Sequence, residues 1–399
     1  MKNFVFVSPH FPDSYWKFCL ALKNRGFNVL GIGDAPYYEI PEQCKIALTE
    51  YYCCSKMENI ENERAALEYF EKKYGHIDYL ESNNEYWLEK DAQLRKEFNI
   101  TTGAWPEEVK YYKHKSLQKE MYAKAGVKAA RFTTDTSKEG LLKFVNEVGY
   151  PIFIKPDNGV GGQGTFKVSN ETDLENFLKE KETDVTYIVE EYVNGQIISY
   201  DGVCNSQSEV LFSTSNVFLP SMADIVNGNL DDMYYCVPEI DPVLDEIGRR
   251  VIKAFGLKNR FFHIEFFKLF EDHPYLGKAG TYVPLEGNMR PAGGYTPDLI
   301  NYANSISCYD VFADSLAYDE SRQVAYNKKY YAITSSRRFA LKYVHTIDEV
   351  IAKYRENITM SGEYPDALKD AMGDTYFFAR FNTYEEAMEF DDFVRSKLK

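Results

Sequence analysis

The segment from Pro151 to Val168, PIFIKPDNGVGGQGTFKV, constrains the fold more than any other in this 399-residue chain. An apolar run ends in Lys155, a loop with glycines at 159, 161, 162 and 164 follows, and Thr165 to Val168 alternates as a second strand. Glycines let a backbone approach a polyanion closely and turn its N–H groups inward as an anion-binding nest. Lys155 adds a point charge suited to phosphate oxygens. Gly159, Gly161 and Gly164 also satisfy G-x-G-x-x-G, but the dinucleotide fingerprint needs a helix next, and a strand follows here. A Walker A loop needs Lys after Gly164, where this chain has Thr165. The alternative is a plain hairpin tip carrying a solvated lysine.

Two further segments carry acids on apolar strands. Period two puts His263, Glu265 and Phe267 on one face of Phe261 to Phe270, and Glu286, Asn288 and Arg290 on one face of a run beginning at Thr281. If these strands pair, Glu265, Glu286 and Asn288 converge. A carboxylate among phenylalanines is costly to bury unless it is paired or bound to metal. Three oxygen ligands suit Mg²⁺, which prefers a few carboxylates with phosphates and water. A solvent-facing sheet surface is the competing reading. The third segment, Tyr187 to Gly195, runs from an apolar strand into Glu190 and Glu191, and could offer adenine an apolar slot with backbone partners.

The formal charge of −15 argues against wrapping nucleic acid or lying on an anionic membrane. No apolar run approaches the ~20 residues needed to cross a bilayer. The first apolar run, Phe4 to Val7, is too short for a signal peptide and reads as a buried strand. Seven scattered cysteines without a CxxC form neither a disulfide framework nor a zinc site, which suggests reduced thiols in a cytoplasmic protein.

Strand and helix patterns alternate over residues 1 to about 105, implying a small doubly wound domain. Helices at Glu107–Ala125 and Lys138–Val148, and strands near 152, 165 and 187, suggest an α+β module ending near 202. Beyond it, Ser213 to Asp232 reads as a loop, residues 240–255 as an amphipathic helix closed by Gly256, and the tail as a strand (Tyr376 to Phe381) and a helix from Tyr384.

In this order the segments resemble the ATP-grasp superfamily, the carboxylate–amine ligases that also include biotin carboxylase and D-alanine ligase. Lys115 in its helix, Lys155-Pro with the glycine loop, Glu190-Glu191-Tyr-Val, His-Ile-Glu265-Phe and Glu286-Gly-Asn288-Met-Arg290 carry the resemblance, across residues 1 to about 316. It implies an α/β and α+β ATP-grasp fold: an N-terminal doubly wound domain over 1–105, a lid subdomain over 106–202, and a C-terminal α+β lobe with an extension over 203–399. It implies ATP between the lobes, with Lys115 and Lys155 on its α- and β-phosphates and Gly161, Gly162 and Gly164 in the lid above them. Glu190 and the Tyr192-Val193 backbone would hold adenine. Glu265, Glu286 and Asn288 would hold Mg²⁺ or Mn²⁺. Lys155 and Arg290 would be catalytic, with Arg290, Gly293 and Gly294 at the acyl substrate. The family's ribose-binding Glu falls at Ile197, leaving Gln196 as its substitute. Pro291-Ala-Gly293-Gly294 is similar to the R-x-x-G-G stretch of amino-acid and dipeptide ligases.

The implied activity joins a small carboxylate, an amino acid above all, to an amine through an acyl phosphate, giving ADP and phosphate. Homodimers occur in the superfamily. Two alternatives stay open: a ligase with a thiol or carbonate-derived partner, and an ATP-binding sensor or scaffold that has lost catalysis.

Overall fold

Four parallel strands open the chain, in the spatial order Glu50–Cys53, Asn28–Gly33, Asn3–Val7 and Tyr79–Glu81. The computed structural model describes residues 1–159, 164–219, 231–323 and 328–398. Asn3–Val7 is buried along its whole length, as expected of a parallel strand covered on both faces. The helix Trp16–Asn24 ends before Gly26, whose φ of +82° suits the left-handed turn expected there. The helix Glu42–Ala47 and the strand Glu50–Cys53 are additions to the expected pattern; both are too short to show a period.

The expected helix Glu107–Ala125 is two helices, Pro106–Lys113 and Lys115–Lys124, broken at extended His114. Both belong to the large lobe and not to the lid. Tyr112 and Tyr122 pack with Leu244, Val251, Phe255, Phe262 and Ile264 in one core. Burying such side chains contributes about 1.5–3 kcal/mol each, which fixes these helices where their apolar faces are covered.

The lid is a four-stranded antiparallel sheet in the order Phe132–Thr133, Tyr187–Glu191, Ile152–Pro156 and Phe166–Val168. Helices Lys138–Val148 and Glu171–Glu180 cover one face, burying Leu141, Phe144, Leu174 and Phe177 against Ile152, Ile154 and Val189. The other face carries Phe153, Lys155 and Glu190. A boundary at 202 would cut the strand Gly195–Cys204, which pairs with Arg260–Leu269 over ten residues and belongs to the large lobe. The lid therefore ends near Asn194.

Among the described residues, nine strands form the sheet of the large lobe. At one edge Tyr282–Asn288 pairs antiparallel with Arg260–Leu269, as the alternation predicted. The expected loop over 213–232 differs in part: Ser213 and Thr214 end the strand Val210–Thr214, and Asn216–Phe218 is a strand; residues 220–230 lie outside the described residues. The tail extends this sheet through strands Tyr331–Arg337, Ile358–Glu363 and Thr375–Phe381, joined at Met233–Cys236. The helix Pro242–Phe255 forms as predicted, capped by Asp241, whose Oδ1 accepts from the Val243 N–H at 3.0 Å. All seven cysteines are free. No helix among the described residues is long and apolar enough to cross a membrane.

Candidate active site

Lys115 begins the second of the two broken helices, and its Nζ joins three elements. It lies 3.0 Å from Glu286 Oε1 and donates to the Gly159 carbonyl at 2.5 Å, at the start of the glycine loop. Asp157 explains the placement. Its carboxylate accepts from the Ser116 N–H at 2.7 Å and the Ser116 hydroxyl at 3.0 Å, and it contacts His114 Nδ1 at 3.0 Å. Its carbonyl accepts from the Lys115 N–H. The N-terminus of this helix is thus capped by the segment that leads into the loop.

Lys119 follows one turn later on the same helix face. It forms an ion pair with Glu190 Oε1, while Lys155 Nζ lies 2.7 Å from Glu190 Oε2. Lys119 and Glu190 are buried, and Lys155 is half-buried. Burial alone would raise the Glu190 carboxyl, but the two ammonium groups outweigh it and hold it at about 2. For Lys155, burial works downward and is outweighed by Glu190 and Glu286, so its ammonium is held above the usual range. Lys119 moves down, because burial dominates there. The neighbouring Glu191 points to the opposite face and accepts from Arg131 Nε at 2.8 Å.

Tyr192 stacks on Phe153 with centroids 5.8 Å apart, and Val193 is buried with Ala130, Leu269, Leu276 and Val283 at the root of the lid. Gln196 donates to the Phe218 carbonyl at 2.5 Å, and Ile197 lies opposite Phe267. Gly161 and Gly162 lie outside the described residues. Gly164 is described and has φ +68°.

The strand pairing brings Glu265 directly opposite Glu286, and His263 opposite Asn288. Gln118 fixes the edge strand: its amide donates to the Gly287 carbonyl at 2.7 Å and accepts the Gly287 N–H at 2.9 Å. His263 Nε2 lies 3.1 Å from Glu265 Oε1, and Nδ1 lies 2.6 Å from Asp201 Oδ1. Burial would lower this imidazole, but Asp201 and then Glu265 outweigh it and lift it to about 10, so the ring is cationic at neutral pH. Arg290 donates to Asn288 Oδ1 at 3.3 Å and twice to Glu85 of the first domain. Gly293 and Gly294 lie beside the tail, where a Cβ on Gly294 would meet Met372 Sδ at 2.5 Å.

Comparison with known proteins follows the same line. The ATP-grasp domain family matches residues 120–212. The chain is 37% identical over 95 residues to the arginine-specific large chain of carbamoyl phosphate synthase of Halalkalibacterium halodurans, covering 23% of this chain and 8% of that one. It is 32% identical over 87 residues to D-alanine–D-alanine ligase B of Clostridium perfringens, covering 21% and 29% respectively. The chain thus spans less than a third of the length of these curated relatives. Across its whole length it superimposes on L-amino acid ligase from Bacillus licheniformis with a TM-score of 0.69, at 14% identity, covering 98% of this chain and 96% of the other. The chain has the ATP-grasp fold.

The lysines lie between lid and lobe, and the facing carboxylates lie on the paired strands at the edge of the lobe. Among the described residues, no group of three or more His, Cys, Asp or Glu side chains could hold a metal. Glu265, Glu286 and the Asn288 carboxamide do come together on the paired strands. All are hard oxygen donors, the kind that suits Mg²⁺ shared with phosphates and water. Lys119, Gln118, Asp201 and Glu85 were not singled out in the sequence. Lys119 alone had a local signal, four residues after Lys115 on a helix.

Proposed function

We propose that this protein is an ATP-dependent ligase that activates a small carboxylate, an amino acid above all, as an acyl phosphate for attack by an amine, releasing ADP and phosphate. The observation that carries this reading is the position of Lys115 Nζ between Glu286 and the Gly159 carbonyl. One ammonium there touches both the loop that would cover phosphates and the strand that would hold their cation. Relatives in the same fold, including the D-alanine and L-amino acid ligases, support the reaction class.

Lys115 and Lys155 would take the α- and β-phosphates, each exchanging a carboxylate partner for phosphate oxygens. Glu190 and the Tyr192-Val193 backbone would hold adenine at the root of the lid, with Gln196 near the ribose. Glu265, Glu286 and Asn288 would hold Mg²⁺ or Mn²⁺, which when bound neutralises charge on the transferring phosphoryl group. Arg290 would face that group and the carboxylate, with the Gly293-Gly294 backbone beside it. A carboxylate is a poor acyl donor because resonance stabilises its anion; phosphorylation supplies a leaving group. Gly161, Gly162 and Gly164 would close over the site and exclude water that hydrolyses the acyl phosphate.

Purified protein incubated with Mg·ATP and pooled L-amino acids tests the reading. Amino-acid-dependent release of ADP and inorganic phosphate supports it. AMP with pyrophosphate would show adenylation instead, and ATP binding without turnover on any carboxylate–amine pair favours a scaffold.

A further inference from the structure

The sheet beneath the facing carboxylates is an ordered array. Across the strands Tyr282–Asn288, Arg260–Leu269 and Gly195–Cys204, one row is Asn288, His263 and Asp201, and the next is Glu286, Glu265 and Ser199. Cross-strand partners and alternate residues share a face, so these six polar side chains project to one side. The other side is apolar: Tyr200, Phe262, Ile264 and Phe266 lie in the core of the lobe.

His263 stands at the centre of this array, and both its ring nitrogens are engaged. Nδ1 meets Asp201 Oδ1 at 2.6 Å, and Nε2 meets Glu265 Oε1 at 3.1 Å. Asp201 is held in turn: its Oδ2 accepts from Asn216 Nδ2 at 2.8 Å and from the Ser199 hydroxyl. Asp201, Ser199 and Asn216 are buried. Glu265 is thus tied by one oxygen, and its Oε2 has no hydrogen-bond donor among the described residues. Buried polar groups are expensive unless they are hydrogen-bonded, and here His263, Asp201, Ser199 and Asn216 are bonded to one another.

We propose that His263 is a positioning residue for the cation site: it pins Oε1 of Glu265 so that Oε2 is presented, while Asp201 holds the imidazole in place. The inference rests on the metal–nucleotide reading above. An unpinned glutamate loses rotamer freedom when it is immobilised on a ligand, and a fixed partner removes part of that cost. Partners behind a ligating side chain commonly change metal affinity about 10–100-fold when removed.

The test uses the full chain, with Mn²⁺ as the probe, followed by electron paramagnetic resonance in the presence of saturating ADP. Metal-free ADP affinity is measured separately in EDTA. His263→Ala is expected to weaken Mn²⁺ binding about 10–100-fold and leave metal-free ADP affinity within about threefold. His263→Gln, which keeps a side-chain N–H donor, recovers part of the loss. If His263→Ala does not fold, the isosteric Asp201→Asn decides: it should weaken Mn²⁺ binding while sparing metal-free ADP affinity. Wild-type Mn²⁺ affinity in a folded variant overturns the inference, as does an equal loss of metal-free ADP affinity. If the wild-type protein itself binds no Mn²⁺ beside the nucleotide, the metal–nucleotide reading fails first and takes this inference with it.

Discussion

Arg290 and Glu85 join the large lobe to the first domain: Nε and Nη2 of the arginine both donate to Glu85 Oε2, at 3.0 and 2.6 Å. Burial would lower the guanidinium, but Glu85 outweighs it, so the arginine is held more firmly charged. The residue expected to face the acyl substrate is therefore aimed by an acid from another domain. Glu85→Ala leaves a half-buried cation with the Pro291 carbonyl and Asn288 as its partners among the described residues. We predict a loss of about 1–3 kcal/mol in urea denaturation, with Glu85→Gln intermediate. A change below about 0.5 kcal/mol would show that the pair is as weak as a surface ion pair.

Lys155 should contribute strongly to nucleotide binding. Removing a charge-assisted contact costs about 1.5–3 kcal/mol, so Lys155→Met should weaken ATP binding about 10–100-fold by calorimetry. Unchanged affinity would exclude Lys155 from the phosphate site.

Glu190 gives a pH signature. Its carboxyl is held at about 2, below its ordinary 4.5, because Lys119 and Lys155 outweigh burial. A depressed acid contributes stability that is present above its unfolded value and lost as pH falls through its folded one. Glu190→Gln should therefore be less stable than wild type at pH 7, and the gap should narrow between pH 4.5 and 2. Thermal denaturation across that range checks the sign; a gap independent of pH contradicts it.

Glu286 separates a ligase from a binder. In the proposed reaction Glu286→Gln removes one of two facing carboxylates, and turnover should fall about 10²–10³-fold, the scale of losing one preorganised transition-state contact. Nucleotide binding in EDTA should change little. A protein that only senses ATP would instead show weaker Mg·ATP binding and no turnover in either form.

Gly294 ties the segment after Arg290 to the tail. Its φ is +59°, and a Cβ there would meet Met372 Sδ at 2.5 Å. Gly294→Ala should cost about 1–2 kcal/mol from the left-handed backbone alone, plus a clash that Met372→Ala relieves in part. Additive effects in the double variant would contradict the contact.

Much of this site was legible because it lies on strands. Period two placed Glu265, Glu286 and Asn288 together once the strands paired. Lys119, at i+4 from Lys115, could have been read from helical spacing. Glu85, Gln118 and Asp201 could not, because each works through a partner more than 60 residues away. The break at His114 was also hidden: an extended residue between two helices leaves the apolar period nearly intact, and Asp157, far along the chain, stabilises it. The lid boundary was misplaced for a similar reason, since Gly195–Cys204 reads as a continuation of the lid until its pairing is known.

The most direct test follows oxygen. A carboxylate substrate found by product release would be labelled with ¹⁸O at both carboxylate oxygens and turned over with unlabelled Mg·ATP and amine. The account predicts one ¹⁸O in each inorganic phosphate released, because the carboxylate oxygen that attacks the γ-phosphorus leaves with it. Unlabelled phosphate, or label in AMP, would contradict an acyl phosphate and with it the role proposed for Lys115, Lys155, Glu265 and Glu286.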